Sequence, residues 1–213
     1  MISFKAVIFD MDGVIVDNQY YHLDAWEVFC KKYNYPFDIS SFRQKYFGKS
    51  NHEILNSLSS KNLTIDEALE LGEEKEIIYR DIYRNDIKPI PGLISLLENL
   101  KQLGKPIAIA SSAPISNIDF VVDSLNIRKY FDVIVDVSMV EFSKPNPDIY
   151  LKAAHLLNTN PLDCLVFEDS HSGIKAAQSA GMSVIALATT HKKEELNYNL
   201  TIVNDFTELS GLN

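Results

Sequence analysis

The 213-residue chain has only two cysteines, Cys30 and Cys164, far apart and without the close spacing of a metal-binding pair. That scarcity excludes a disulfide scaffold and a cysteine zinc site, and both residues are expected to be buried thiols in a reducing compartment. Basic residues are in deficit as well: 20 Lys and Arg against 29 Asp and Glu give a formal net charge of −9. This balance argues against nucleic acid or an anionic membrane as a partner, though it leaves room for one phosphate-sized basic site. Long hydrophobic runs are missing, so neither a membrane span nor a signal peptide is expected. The first residues, Met1-Ile2-Ser3-Phe4-Lys5, lead straight into an apolar run, and a cytoplasmic location is the expectation. Internal repeats and low-complexity stretches are also lacking, which excludes solenoids and long disordered linkers.

What is present centres on Phe9-Asp10-Met11-Asp12-Gly13-Val14. The β-branched, apolar run Ala6-Val7-Ile8-Phe9 reads as a buried strand that delivers two carboxylates, one residue apart, into a turn opened by Gly13. Two neighbouring carboxylates repel, and burying either without a compensating cation is costly. A hard divalent metal held by oxygen ligands resolves that conflict and attracts phosphate. A strand ending in a solvated acidic turn is the other reading of the same six residues.

Along the chain, Asp17-Asn18 are candidate N-cap residues for a helix from Gln19 to Tyr33, with Leu23, Trp26, Phe29 and Cys30 on one apolar face. Further helices are predicted over 40–46, 51–59 and 64–83. The last opens on Thr64-Ile65-Asp66-Glu67, a capping-box pattern. No strand is predicted between residues 18 and 84. Pro89 and Pro91-Gly92 then mark a return to alternation. Helices are predicted over 93–103, 116–126, 148–157 and 172–180, with strands over 106–110, 133–137, 164–167, 184–187 and 201–203 and a terminal helix. This order predicts an α/β fold: a Rossmann-like parallel sheet with helices on both faces, made by residues 1–16 and 88–213. Residues 17–87 form an inserted four-helix cap, placed as a lid with hinges near 14–18 and 87–92.

Several polar groups fall at strand ends or helix starts. Asp10 and Asp12 follow the first strand, Ser111 and Ser112 the second, and Glu168-Asp169 a later one, while Lys144 precedes a Pro-bounded helix. Together they supply carboxylates for Mg²⁺, a hydroxyl donor and an ammonium donor for phosphate oxygens, the equipment of phosphoryl transfer.

The order Asp10-Met11-Asp12-Gly13-Val14, Ser111, Lys144-Pro145-Asn146-Pro147 and Glu168-Asp169-Ser170-x-x-Gly173 resembles the haloacid dehalogenase superfamily. Within it, the chain is similar to the branch holding β-phosphoglucomutase and the small sugar-phosphate phosphatases. The resemblance implies that Asp10 is the nucleophile, forming an aspartyl-phosphate, and that Asp12 is the general acid and base. It implies a Mg²⁺ site from the Asp10 and Asp169 side chains and the Asp12 backbone carbonyl, with Glu168 orienting a metal-bound water. Ser111 and Lys144 would hold the transferring phosphoryl group, with Gly13 and Ser112 beside the substrate. Met11 is left to packing. In the cap, His22 matches a hinge histidine. Lys75 either reaches the substrate or forms a solvated helical ion pair with its acidic neighbours, and the loop Phe47-Gly48-Lys49-Ser50 is placed to touch substrate.

Departures from the mutase pattern set the expected activity. The mutase grips a second phosphate with a cap-loop Arg and a Ser-Lys pair after the second strand. Asn51, Ala113 and Pro114 stand at the corresponding positions here. A monomeric phosphatase of a small phosphorylated sugar or related metabolite is therefore expected, with β-phosphoglucomutase as the alternative. A phospho-acceptor switch of the receiver type is disfavoured by Asp12, by the inserted helices and by a nucleophile on the first strand.

Overall fold

The computed structural model describes residues 3–46, 50–59, 63–196 and 199–209. Six strands form one all-parallel sheet: β1 (Ala6–Phe9), β2 (Ile107–Ala110), β3 (Val133–Val135), β4 (Cys164–Glu168), β5 (Ser183–Leu187) and β6 (Thr201–Val203). Their spatial order is β3-β2-β1-β4-β5-β6, so β1 is central and the order reverses beside it. Such a reversal opens a crevice at the carboxyl ends of the strands, where α/β folds bind ligands.

Alternation along the strands explains the two-sided burial. Ala6 and Ile8 join Ala108, Ala110 and Val166 in a cluster with Ile149, Tyr150 and Ala153 of α7 (Asp148–Leu156) and Ile174 and Ala177 of α8 (His171–Ser179). Val7 and Phe9 point to the opposite face, as the two-residue period requires. There the Phe9 ring stacks on Phe167 at 5.0 Å and meets Phe206 edge-on at 6.0 Å. Fully burying a side chain of this size contributes about 1.5–3 kcal/mol. On that side α5 (Leu93–Gln102) packs on the turn Phe206–Glu208, burying Leu93, Leu96, Leu97 and Leu100 at helical spacing. The remaining core helix is α6 (Ile115–Ser124). Of the expected terminal helix, the described residues hold the 3₁₀ turn Phe206–Glu208, capped by Asp205; residues 210–213 lie outside the described residues. Cys30 and Cys164 are buried free thiols, and burial pushes both up to about 11. No helix among the described residues is long and apolar enough to cross a membrane.

The chain divides into two compact units, Met1–Asp17 with Ile87–Asn213, and Asn18–Asp86. The second unit holds α1 (Gln19–Tyr33), α2 (Ile39–Tyr46), α3 (Asn51–Leu58) and α4 (Ile65–Tyr83). Its core joins Leu23, Trp26, Phe29 and Cys30 of α1 to Phe42, Tyr46, Ile54 and Leu55. Asn18 occupies the N-cap of α1 but makes no side-chain cap bond; its amide instead donates to the Tyr79 hydroxyl at 2.6 Å. Two complete capping boxes start the later helices. Ser50 with Glu53 opens α3, and Thr64 with Glu67 opens α4. Thr64→Ala removes an acceptor for a first-turn N–H and is expected to lower stability by about 1 kcal/mol. Urea unfolding checks this, and an unchanged midpoint would show that the box contributes nothing.

Candidate active site

Strand register builds the site. Phe9 is level with Ile109 of β2 and with Phe167 of β4, so the next residues along the three central strands are Asp10, Ala110 and Glu168. Ser111 and Asp169 follow one step on. The ladder continues past the strand ends, with Asp10 N–H donating to Phe167 O and Ser111 N–H to Val135 O, each at 3.0 Å. These side chains are therefore anchored on rigid backbone.

Lys144 enters from the loop before α7. Its Nζ donates to Asp10 Oδ1 at 2.5 Å and to Glu168 Oε1 at 2.7 Å, with all three side chains buried. Asp10, Glu168 and Asp169 each offer a carboxylate oxygen within 4.8 Å of the others. One ammonium thus faces three buried carboxylates. Burial pushes Asp10 up to about 7 against the pull of Lys144, with Glu168 and Asp12 adding repulsion. Burial, reinforced by Glu168 and Asp10, drives Asp169 well above the ordinary range. Burial also works to raise Glu168, but Lys144 and its other donors overcome it and hold the carboxyl low. Lys144 stays charged because its two carboxylates override the cost of its burial. Negative charge in excess of the one cation suits a hard divalent metal, so the residues present fit such an ion.

Several residues that position this cluster were not singled out from the sequence. Glu168 Oε1 also accepts from the Tyr150 hydroxyl at 2.9 Å, and Oε2 accepts from the Asp169 and Ser170 N–H groups, both at 2.8 Å, and from Ser170 Oγ at 3.0 Å. With five donors, Glu168 is a carboxylate whose capacity is already taken up. The Lys144 ammonium lies 4.9 Å from the Tyr150 ring centroid, a cation–π contact. Gly173 is needed because a Cβ there would overlap the Glu168 carboxylate. Gly13, at φ +75°, is similarly committed: a Cβ would run into the Asp169 carboxylate. Thr190 donates to Asp169 Oδ2, and Thr189 Oγ1 donates to Gly13 O at 2.6 Å. In sequence, Gly13 and the Gly173 that closes the Glu168-Asp169-Ser170 motif hinted at this arrangement, whereas Tyr150, Thr189 and Thr190 reach the site through tertiary contacts.

The remaining candidates have distinct settings. Asp12 is half-buried in a tight loop, where Gly13 N–H donates to Val16 O at 2.7 Å and Asp12 bridges to Val16. Ser111 is buried, with Oγ accepting from Ala113 N–H at 3.1 Å, whereas Ser112 is exposed. Met11 is fully buried. In the helical unit His22, Asn51 and Lys75 converge on Glu76. Lys75 Nζ is 2.5 Å from Glu76 Oε1 and 3.3 Å from His22 Nδ1, and Asn51 Nδ2 donates to Glu76 Oε1 at 2.6 Å. The His22 ring stacks on Tyr79 at 3.8 Å, and the Lys75 ammonium is 5.2 Å from the Trp26 ring centroid. A solvated ion pair for Lys75 is thus incorrect, because the side chain is 1% exposed and its partner Glu76 is buried with it. Burial alone would raise Glu76, but Lys75 and then His22 pull its carboxyl down to about 2. Residues 47–49 of the cap loop lie outside the described residues.

Two outcomes follow from this geometry. Gly173→Ala is expected to destabilise the protein by about 1–3 kcal/mol through overpacking against Glu168, as read by denaturant unfolding. Without metal, Asp10 keeps a proton when folded at pH values where the unfolded chain, near 3.8, has released it. The stabilisation that this gives is complete below about pH 4 and is lost as pH rises through about 7. Chelator-treated protein is therefore expected to melt at falling temperature from pH 5 to 8. A divalent cation should raise the midpoint more at pH 8 than at pH 6, because fewer protons then compete. Equal metal-induced shifts at both pH values would contradict this account.

Comparison with known proteins places the chain. A model of the haloacid dehalogenase-like hydrolase family matches residues 4–181. The chain is 36% identical over 191 residues to a protein named beta-phosphoglucomutase from Bacillus subtilis, covering 86% of this chain and 83% of that one. It is 34% identical over 186 residues to a phosphorylated carbohydrates phosphatase from Thermotoga maritima, covering 85% and 83%. The crystal structure of a HAD hydrolase of family IA, variant 3, from Entamoeba histolytica superposes with a TM-score of 0.89 at 31% identity, covering 97% and 95%. With its strand-end carboxylates, bridging lysine and family match over most of its length, this chain belongs to the haloacid dehalogenase-like hydrolases.

Proposed function

We propose that the protein is a Mg²⁺-dependent phosphatase of a small phosphorylated sugar or related metabolite, working through a phosphorylated Asp10. The observation that carries this reading is the shared ammonium of Lys144, 2.5 Å from Asp10 and 2.7 Å from Glu168 beside Asp169. That arrangement keeps a carboxylate nucleophile poised against negative charge, as phosphoryl transfer requires. The side chains of Asp10 and Asp169, with the Asp12 carbonyl, would hold Mg²⁺. Bound there, the ion would offset charge on the phosphoryl oxygens and on Asp10.

The chain's own residues then divide the work. Lys144 and Ser111 bind the phosphoryl group. An Asp10 oxygen attacks phosphorus as the ester P–O bond breaks, and Asp12 protonates the departing alkoxide. Asp12 next takes a proton from water, whose oxygen attacks the aspartyl-phosphate, releasing phosphate and restoring Asp10. Glu168, filled by its five donors, fixes Lys144.

Hydrolysis is favoured over isomerisation by the cap and by the segment after β2. Asn51 is engaged by Glu76, and the ammonium of Lys75 is offset by the same carboxylate. Ala113 is a small buried residue and Pro114 is the N-cap of α6, so neither offers a side-chain donor to a second phosphate. The mutase reading draws on the Bacillus subtilis relative.

Asp10→Asn is expected to lower turnover roughly a thousandfold or more with the fold intact. Supplying β-glucose 1-phosphate with a trace of the 1,6-bisphosphate, and following phosphate and glucose 6-phosphate together, decides the second step. Phosphate release faster than isomer formation, on this or another sugar monophosphate, is the expected result. Stoichiometric glucose 6-phosphate without free phosphate would establish the mutase instead.

A further inference from the structure

We propose that Thr190 is a positioning residue for the divalent cation: its hydroxyl orients the Asp169 carboxylate and so sets how tightly the metal is held. The inference rests on the reading of Asp10, Asp169 and the Asp12 carbonyl as the Mg²⁺ site, and it concerns metal affinity rather than the identity of the substrate. Thr190 and Asp169 are both buried, and Thr190 Oγ1 donates to Asp169 Oδ2. An aspartate carboxyl turns easily about its last torsion, whose wells are broad. Mg²⁺ demands near-ideal octahedral geometry, so a ligand left to turn forfeits affinity. Groups that hydrogen-bond a ligating carboxylate supply that orientation, and their loss weakens metal binding by about ten- to a hundredfold.

A neutral donor suits this carboxylate. A second ammonium would orient Asp169 but also offset the charge that attracts a metal, whereas a hydroxyl takes up one acceptor position and leaves the charge in place. Lys144 is already shared between Asp10 and Glu168. The hydroxyl is itself held from several sides. Threonine is stiff about χ1, and the chain leading to it is tied down. The ladder of β5 continues past Leu187, with Ala188 N–H donating to Val203 O at 2.8 Å, and Thr189 Oγ1 donates to Gly13 O at 2.6 Å. The last bond joins the segment after β5 to the turn after β1, which carries the Asp12 carbonyl. Gly13 completes the fit, since a Cβ there would stand 2.9 Å from Thr190 Oγ1 as well as inside the Asp169 carboxylate. Thr190, Asp169 and Gly13 therefore pack as one group, and all three belong to the unit that contains the sheet.

The test uses the full-length protein without substrate, and Mg²⁺ alone as the probe. Following the melting midpoint as Mg²⁺ is raised yields a dissociation constant for the folded protein. The Mg²⁺ concentration that gives half-maximal phosphate release supplies a second value. For Thr190→Val, which keeps the shape and removes the donor, Mg²⁺ affinity is expected to fall roughly tenfold or more by melting. Half-saturation is expected to rise by a larger factor than kcat at saturating Mg²⁺ falls. Thr190→Ala removes the same hydroxyl and serves should the valine variant fold poorly. Thr190→Ser restores the donor and is expected to return the affinity to within about threefold of the parent. An affinity within about twofold of the parent in either folded variant without the hydroxyl would overturn the proposal, showing a group that serves the fold alone. A serine variant as weak as the valine one would overturn it too, by assigning the effect to packing of the methyl group. If Mg²⁺ does not move the parent's midpoint, the metal reading fails and the inference falls with it. A shift in the parent that persists unchanged in the variants sinks the inference alone.

Discussion

The lysine that bridges Asp10 and Glu168 is the interaction on which the carboxyl edge of the parallel sheet depends. Three carboxylates buried within reach of one another repel strongly in a medium that screens poorly. A single ammonium at 2.5 and 2.7 Å makes the arrangement tolerable without neutralising it. The repulsion that remains, seen in the raised Asp10 and Asp169 carboxyls, is what a hard cation held there would relieve. Much of the nearby structure serves to hold this balance. Tyr150 and the N–H groups of Asp169 and Ser170 take up Glu168, leaving Lys144 to face Asp10. Gly173 and Gly13 remove the Cβ atoms that would stand where the carboxylates lie.

The parallel sheet makes this balance geometrically possible. Because β1 lies between β2 and β4, residues separated by more than a hundred positions finish side by side at one edge. Each is fixed by ladder hydrogen bonds rather than by a mobile loop. The site therefore inherits the rigidity of a core whose strands are buried on both faces.

The helical unit contains a second buried charge pair with a different character. Lys75 and Glu76 neutralise one another, and Asn51, His22, Tyr79 and Trp26 surround them. A buried pair of this kind contributes little net stability but fixes the orientation of its members. Family membership does not by itself select a reaction, since relatives of similar identity include a mutase and a phosphatase. The choice belongs to side chains that grip, or do not grip, the end of the substrate far from the reacting phosphorus.

The amino-acid sequence by itself determined the strand and helix order, because the apolar runs, the Pro and Gly breaks and the helical spacing are local signals. It also marked the polar residues that fall at the strand ends and in the loop before α7. Asp10, Asp12, Ser111, Lys144, Glu168 and Asp169 follow recognisable strands or turns in a familiar order. Tertiary structure alone decided the hydrogen bond from Tyr150 to Glu168 and that from Thr190 to Asp169. Each partner is separated by about twenty residues, and nothing in the intervening chain marks the contact. It decided that Asn18 turns to Tyr79 instead of capping its helix, and that Lys75 lies buried on Glu76 instead of in solvent. It also left the Gln19 amide without a partner. The physical reason is the same in each case: periodicity and propensity act over a few residues, whereas the fate of a polar group depends on what the fold packs against it.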